Sequence, residues 1–334
     1  MTMKQTPLPP VSANASDKAG GVSAMPTRQS GSATRAIADI RHLLRRFWSV
    51  VTINRKVTAG SIIVAIFILV AVIGPIVIRQ NPFAYTRDLV QPPSSAHWLG
   101  TNQGGQDVFV QLVVGTRSSV MWAIITGLMV MVISIAVGLV GGYLGGIVDD
   151  ALSVITNVFL VVPAFPLAVV AVEYFNRSSL TIAIIVALTN WPWGARVLRA
   201  QTLSMRNREF VTASRAVGEK TWRIIFLEIL PNEIAIVAAS FITTTIQVLL
   251  AVAALEFLGF GENQTISWGT MLYDAQTGSA LFQVAWWWFA PPGLCIALLG
   301  AGLALLNFGI DEVADPRLRQ LKRRVRRGKA VAAA

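Results

Sequence analysis

Residues 118–142 read SSVMWAIITGLMVMVISIAVGLVGG, a run without a charged side chain. At 1.5 Å per residue, a helix of that length measures about 37 Å, enough to cross the roughly 30 Å hydrocarbon core of a bilayer. Backbone exposed to lipid must satisfy its own hydrogen bonds, which a helix does within one segment. The run therefore reads as a membrane-spanning helix. Gly127, Gly138, Gly141 and Gly142 lie within it and let neighbouring backbones approach closely.

Five more apolar runs of spanning length flank this one, at about 57–78, 151–173, 178–198, 231–256 and 286–309. Pro163 and Pro166 should kink the third span. The fold class that follows is an all-α polytopic membrane protein with six transmembrane helices. Composition agrees: 54% of the 334 residues are hydrophobic and 13% are charged. A soluble domain carries about 25% charged residues, so this chain has too little polar surface to coat a globule in water.

The net charge of +11 is gathered in the first 56 positions, in 196–223 and in the last 18. Each cluster abuts an apolar span, which reads as the retention of basic loops on the cytoplasmic side, with some contact to anionic lipid, rather than as a nucleic-acid surface. Both termini and the loop 199–230 are placed inside by this rule. The long outside loops, about 79–117 and 257–285, hold few basic residues.

Four regions result: a disordered cytoplasmic tail over 1–35, an interfacial amphipathic helix over 36–56, a six-helix domain over 57–310 and a basic cytoplasmic tail over 311–334. The amphipathic reading rests on Ile37, Ile40, Leu43, Leu44, Phe47 and Trp48, which recur at helical spacing among Arg41, Arg45 and Arg46. The opening residues are too polar for the apolar core of a signal peptide. Trp286, Trp287 and Trp288 read as an aromatic anchor at the outer interface.

Catalytic chemistry is thinly represented. The chain has one cysteine, Cys295, so no internal disulfide, and two distant histidines, His42 and His97, which argue against a metal site. It has no Gly-x4-Gly-Lys-Ser/Thr loop, no Gly-x-Ser-x-Gly elbow and no His-Glu-x2-His helix. No cofactor is expected in this chain. Asp149 and Asp150 read as a solvated turn at the inner surface. The spans read as nearly free of ionisable residues, with Arg196 and Arg199 near an inner end where they can snorkel. Glu173, Glu256 and Glu262 border the outside, and Glu256 is the nearest candidate for a role in a pathway, although a span end lets it reach water.

The segment 209–232, EFVTASRAVGEKTWRIIFLEILPN, reads differently from the spans around it. Phe210, Ala213, Ala216 and Val217 make a small apolar face on a short helix, and Gly218 is placed to end it. Trp222, Ile225, Phe226 and Ile229 restart an apolar stripe, and Pro231 can open the next helix in its first turn. A charged helix held between two spans cannot bury that face in lipid, so a groove on a protein partner is its natural cover.

This segment resembles the cytoplasmic loop of binding-protein-dependent ABC importer permeases, whose pattern runs Glu-Ala-Ala, three residues, Gly, about nine residues, then Ile-x-Leu-Pro. Thr212-Ala213-Ser214, Gly218 and Ile229-Leu230-Pro231 stand at those positions. The acidic first residue is replaced by Thr212. In that family the loop is a coupling helix docked into an ATPase subunit, which assigns the role here to Glu209, Phe210, Val211, Thr212, Ala213, Ser214, Arg215, Ala216, Val217 and Gly218.

Other blocks resemble the peptide/nickel branch, specifically its DppC-like subunit: Gln91-Pro92-Pro93-Ser94, the stretch 97–119, Gly141-Gly142-Tyr143 with Gly145-Gly146 and Asp149, residues 257–261 (FLGFG), Trp268-Gly269 and residues 315–319 (DPRLR). Departures from that pattern come in pairs. Asn102 and Gln106 replace Asp and Arg, Val154 and Asn157 replace Arg and Asp, and Val252 and Glu256 replace Glu and Ser. Paired loss is tolerable because a lone buried charge is costly.

The resemblance implies a non-catalytic permease subunit in a prokaryotic plasma membrane. It would pair with a homologous permease, two ATPase subunits and an extracytoplasmic substrate-binding protein. Peptides are the implied cargo, with oligosaccharides or nickel complexes as alternatives on the same machinery. An ion-coupled secondary transporter is the rival class, but it would carry internal repeats and matching broken helices, and none is evident.

Overall fold

A computed structural model describes residues 55–262 and 264–314. The tail 1–35, all of the amphipathic segment but its last two residues, and residues 315–334 with their 315–319 block lie outside the described residues. The described chain is helical, with one isolated antiparallel bridge between Thr101 and Asp107.

Helix α1 spans Arg55–Val77, α2 Val108–Leu144, α3 Gly146–Val161, α4 Ala164–Glu173 and α5 Ser179–Met205. The short α6 spans Glu209–Ala216, followed by the long α7 over Thr221–Phe260. Short α8 covers Trp268–Thr277 and α9 covers Trp286–Ala314. Five of these, α1, α2, α5, α7 and α9, are long and apolar enough to cross a membrane.

The third predicted span is a broken one: α3 and α4 meet at an 84° bend. Pro163 sits at the joint as the N-cap of α4. A proline ring inside a continuous helix would clash with the carbonyl four residues back, so the chain turns there and restarts. The expected kink is thus a full break.

Pairings on either side show that this bent pair crosses as one unit. The Ser134 hydroxyl on α2 donates to the Trp191 carbonyl on α5, at 2.9 Å. Further along, Gly138 lies against Ala195, and Gly142 against Thr202. Residue numbers rise together, so α2 and α5 run parallel, and the chain between them must return to the starting side. Asp149 at the head of α3 meets Arg199 near the end of α5, whereas Val172 at the foot of α4 packs with Ile182 and Val186 near its start. With the bent pair counted once there are six crossings, which leaves both ends of the described chain on one side.

Small residues set the contacts. A Cβ on Gly138 would stand 2.7 Å from the Ala195 carbonyl, and one on Gly142 would stand 2.8 Å from the Thr202 Cβ. Side chains larger than hydrogen would push α2 and α5 apart, where association in lipid depends on close packing. Helices α1 and α9 pair antiparallel, with Gly302 against Ile63 and Gly309 against Val57.

The α-helical part of α7 begins at Leu230 with Pro231 in its first turn, as expected, but the chain leading into it is also helical. It is continuous from Thr221, with a π-helical stretch over Ile224–Ile229 in which the Leu230 N–H reaches the Ile225 carbonyl. Pro231 brings no N–H, and widening the preceding turn removes the conflict without breaking the helix. At its far end Gly259, with φ of 90°, closes the helix in a conformation that favours glycine.

The three tryptophans at the head of α9 divide their roles instead of forming one belt. Trp286 is 54% exposed. Trp287 donates from Nε1 to the Thr101 carbonyl at 3.3 Å, and Trp288 is buried against Gly278. Two of the three therefore hold the loops at this end of the bundle.

Candidate functional site: a clamped helix at the basic end and a cavity at the other

Helix α6 leaves α5 at the end that carries Arg199, Arg206, Arg208, Arg215 and Arg223. Glu209 lies in its first turn and Arg215 in its last, each sign matched to the helix dipole. Val211 is fully buried, packed with Leu139, Tyr143, Leu198 and Ile225. Arg215 donates from Nε to the Tyr143 hydroxyl at 3.0 Å and lies over the same ring at 4.8 Å. These contacts clamp α6 onto the Gly141-Gly142-Tyr143 end of α2.

The helix ends as the glycine predicts. Gly218 has φ of 83°. Its N–H reaches the Arg215 carbonyl at 3.0 Å, and the Glu219 N–H reaches the Ser214 carbonyl at 3.1 Å. Both bonds are those of a Schellman cap, which satisfies carbonyls that would otherwise face water alone. Glu219 also pairs with Arg223 one turn on, at 3.3 Å.

The apolar face predicted from spacing is the outward one. Phe210, Ala213, Ala216 and Val217 are exposed, Val217 by 83%. Trp222 and Phe226 on the following helix are exposed beside this loop in sequence. Thr212 and Ser214 turn their hydroxyls back to the Glu209 and Phe210 carbonyls, at 2.9 and 3.0 Å. Sequence reasoning missed the anchor. Val211, Ser214 and Arg215 recur at i, i+3 and i+4, but one valine among polar residues gives a weak periodic signal.

Charges at this end also differ from expectation. Asp149 is not a solvated turn: it is buried and forms a two-pronged ion pair with Arg199, whose Nη2 lies 2.7 Å from Oδ2 and whose Nε bonds Oδ1. Arg199 is therefore fixed in a pair and not snorkelling freely. Arg196 donates to Asn157 Oδ1 at 2.7 Å. The spans also hold a carboxylate that the sequence reading passed over. Glu233 is fully buried and accepts from the Thr202 hydroxyl at 3.2 Å. Its position one turn into an apolar run was the signal.

At the opposite end, the substituted charge pair is replaced by a buried amide cluster. Asn102 Nδ2 donates to Gln106 Oε1 at 2.7 Å, and Gln111 Nε2 donates to the same oxygen at 2.9 Å. Asp107 caps α2 by accepting from the N–H groups of Phe109 and Val110, at 2.8 and 3.1 Å, and its second oxygen lies 2.8 Å from His97 Nδ1. The Ser267 hydroxyl donates to Glu256 Oε2 at 2.6 Å. Glu256 is 5% exposed, so it does not stand in bulk water as a residue at a span end would. It lines a cavity of about 350 Å³ together with Glu262, Asp274, Arg177 and Tyr273. Asp274 keeps an edge in solvent, but crowding by the cavity wall pushes its carboxyl up to about 6.

Apolar helices of spanning length, close glycine-mediated packing and a short helix with an exposed apolar face at the basic end describe a polytopic membrane protein. The chain belongs to the family described as the binding-protein-dependent transport system inner membrane component, which matches residues 132–320. It is similar to the dipeptide transport system permease protein DppC of Alkalihalophilus pseudofirmus, at 32% identity over 269 residues, covering 80% of this chain and 87% of the relative. The oligopeptide transport system permease protein OppC of Bacillus subtilis is 31% identical over 271 residues, covering 80% and 87%. The glutathione transport system permease protein GsiD of Pectobacterium atrosepticum is 30% identical over 290 residues, covering 84% and 93%. The chain is thus a multi-pass permease subunit of a prokaryotic inner membrane.

Proposed function

We propose that this chain forms half of the translocation pathway of an ATP-driven importer of short peptides. A homologous permease supplies the other half, two ATPase subunits dock at the basic, cytoplasmic end, and an extracytoplasmic binding protein delivers solute to the opposite end. ATP is hydrolysed in the partner subunits and not in this chain. The peptide cargo is inferred from the dipeptide and oligopeptide transport systems to which the relatives above belong.

The observation that carries the coupling role is the two-sidedness of α6. One side is clamped by Val211 and by Arg215 on Tyr143. The other presents Phe210, Ala213 and Val217 to solvent. Force applied to the free side passes through the clamp into the end of α2, and through the cap at Gly218 into α7. Because α2 packs along both α5 and α7, a displacement of α6 tilts three spans together. Nucleotide biases the pathway only as far as it binds one arrangement better than the other.

Uptake of radiolabelled trialanine tests the reading in cells that carry or lack the gene for this chain, with the partner genes intact. Uptake that disappears on deletion and returns with the gene supports it. Uptake that is unchanged on deletion overturns it.

A further inference from the structure

The cavity at the end opposite α6 is unusual in its charge. Glu256, Glu262 and Asp274 line it, and Arg177 is the one cation among its lining residues. Arg177 makes no ion pair with any of them: it donates to the Gly259 carbonyl at 3.2 Å and lies 6.0 Å from the centre of the Phe260 ring. Glu262 is occupied structurally, accepting from the Ser179 hydroxyl at 3.3 Å at the head of α5. Glu256 and Asp274 have no cationic partner within 4.0 Å among the described residues.

Glu256 is the informative group. It is 95% buried, and a carboxylate out of water needs a partner or it is costly. Ser267 supplies one hydrogen bond, to Oε2. Among the described residues no group donates to Oε1. Glu256 lines the cavity, so a carboxyl oxygen without a donor among the described residues can find one in a bound ligand. The three carboxyl groups do not converge as a metal site would, since no cluster of three potential ligands exists among the described residues. Tyr85 and Tyr273 add aromatic rings to the same wall, and the negative faces of such rings attract organic cations. The volume of about 350 Å³ suits a small molecule and exceeds what a bare ion needs.

We infer that this cavity binds the ammonium group of a small organic cation, with Glu256 Oε1 as the principal acceptor and Asp274 as the second anion. Resting on the peptide reading above, the inference makes the cavity a subsite for the amino terminus of the cargo within this subunit.

The test uses the purified full-length chain in lipid nanodiscs, without the binding protein, titrated with alanyl-alanine amide and monitored by calorimetry. N-acetyl-alanyl-alanine amide, which differs by the loss of the ammonium, is the comparison probe. The wild type is expected to bind the first and not the second. Glu256→Gln keeps the shape and the Ser267 hydrogen bond, and it should weaken binding at least about tenfold, as loss of a charged hydrogen bond does. Asp274→Asn, on the solvent edge, should weaken it about threefold. Equal binding of both probes, or binding unaffected by either substitution while the variants still assemble with their partners, overturns the ammonium site. That result leaves the importer reading standing if trialanine uptake still requires the chain. If uptake does not require the chain, the importer reading itself falls.

Discussion

Replacing Gly218 by valine isolates the contribution of backbone conformation to coupling. The residue sits at φ of 83°, and a Cβ placed there would meet nothing within 4 Å. The space around the Cβ is open, so the effect is expected to come from the left-handed conformation. That conformation costs an L-residue about 1–2 kcal/mol, with β-branched residues at the upper end. The strained residue escapes by giving up the two cap bonds, from Gly218 to Arg215 and from Glu219 to Ser214. The angle between α6 and α7 is then no longer fixed. A cost of 1–2 kcal/mol lowers the population of the capped geometry relative to its alternatives by a factor of roughly 5 to 30. The assay is ATP-dependent peptide uptake by the reconstituted complex, divided by its ATPase rate. That ratio should fall about fivefold or more for Gly218→Val, while Gly218→Asn stays near wild type because asparagine tolerates this region. Equal ratios for Val and Gly, or equal damage from Asn and Val, would refute the reasoning.

Two further substitutions probe the buried polar pairs. Asp149→Ala strands Arg199 and should cost up to about 3 kcal/mol, read as a lower melting temperature in nanodiscs; adding Arg199→Leu should restore part of it, and a double variant no better than the single contradicts the pairing. Asn102→Asp alone places an uncompensated carboxylate among buried amides and should reduce the folded yield, whereas Asn102→Asp with Gln106→Arg should recover it, because the two side chains already face each other at 2.7 Å. A tolerated single substitution would show that this cluster is more solvated than its burial indicates.

The spans were legible because an uncharged run of membrane length has few alternatives. Gly138 and Gly142 announced close packing, and the structure puts the Ala195 carbonyl and Thr202 against them. Gly218 was legible for the same kind of reason: a glycine just past a helical run is the residue that a left-handed cap favours. What pattern could not show was pairing between distant segments. Asp149 looks like a turn residue until α5 brings Arg199 to it across 50 positions. Val211 looks unremarkable until Tyr143 and Leu198 close over it. Glu233 is hidden in an apolar run, because one acid hardly disturbs a hydropathy pattern, and Glu256 is visible as a candidate while its near-complete burial at a span end is not. Pro231 stands in the first α-helical turn that its fixed φ favours, but the π-helical stretch over Ile224–Ile229 that joins this turn to the preceding helix has no signal in the pattern.

The central claim is that the exposed face of α6 meets an ATPase subunit. A photo-crosslinking residue at Ala213, introduced into the intact complex in native membranes, tests it most directly. The account predicts an ATP-sensitive crosslink to the ATPase subunit and none from the same residue placed at Phe282, which is 91% exposed at the opposite end. A crosslink from Ala213 to lipid alone, or to the extracytoplasmic binding protein, would contradict it.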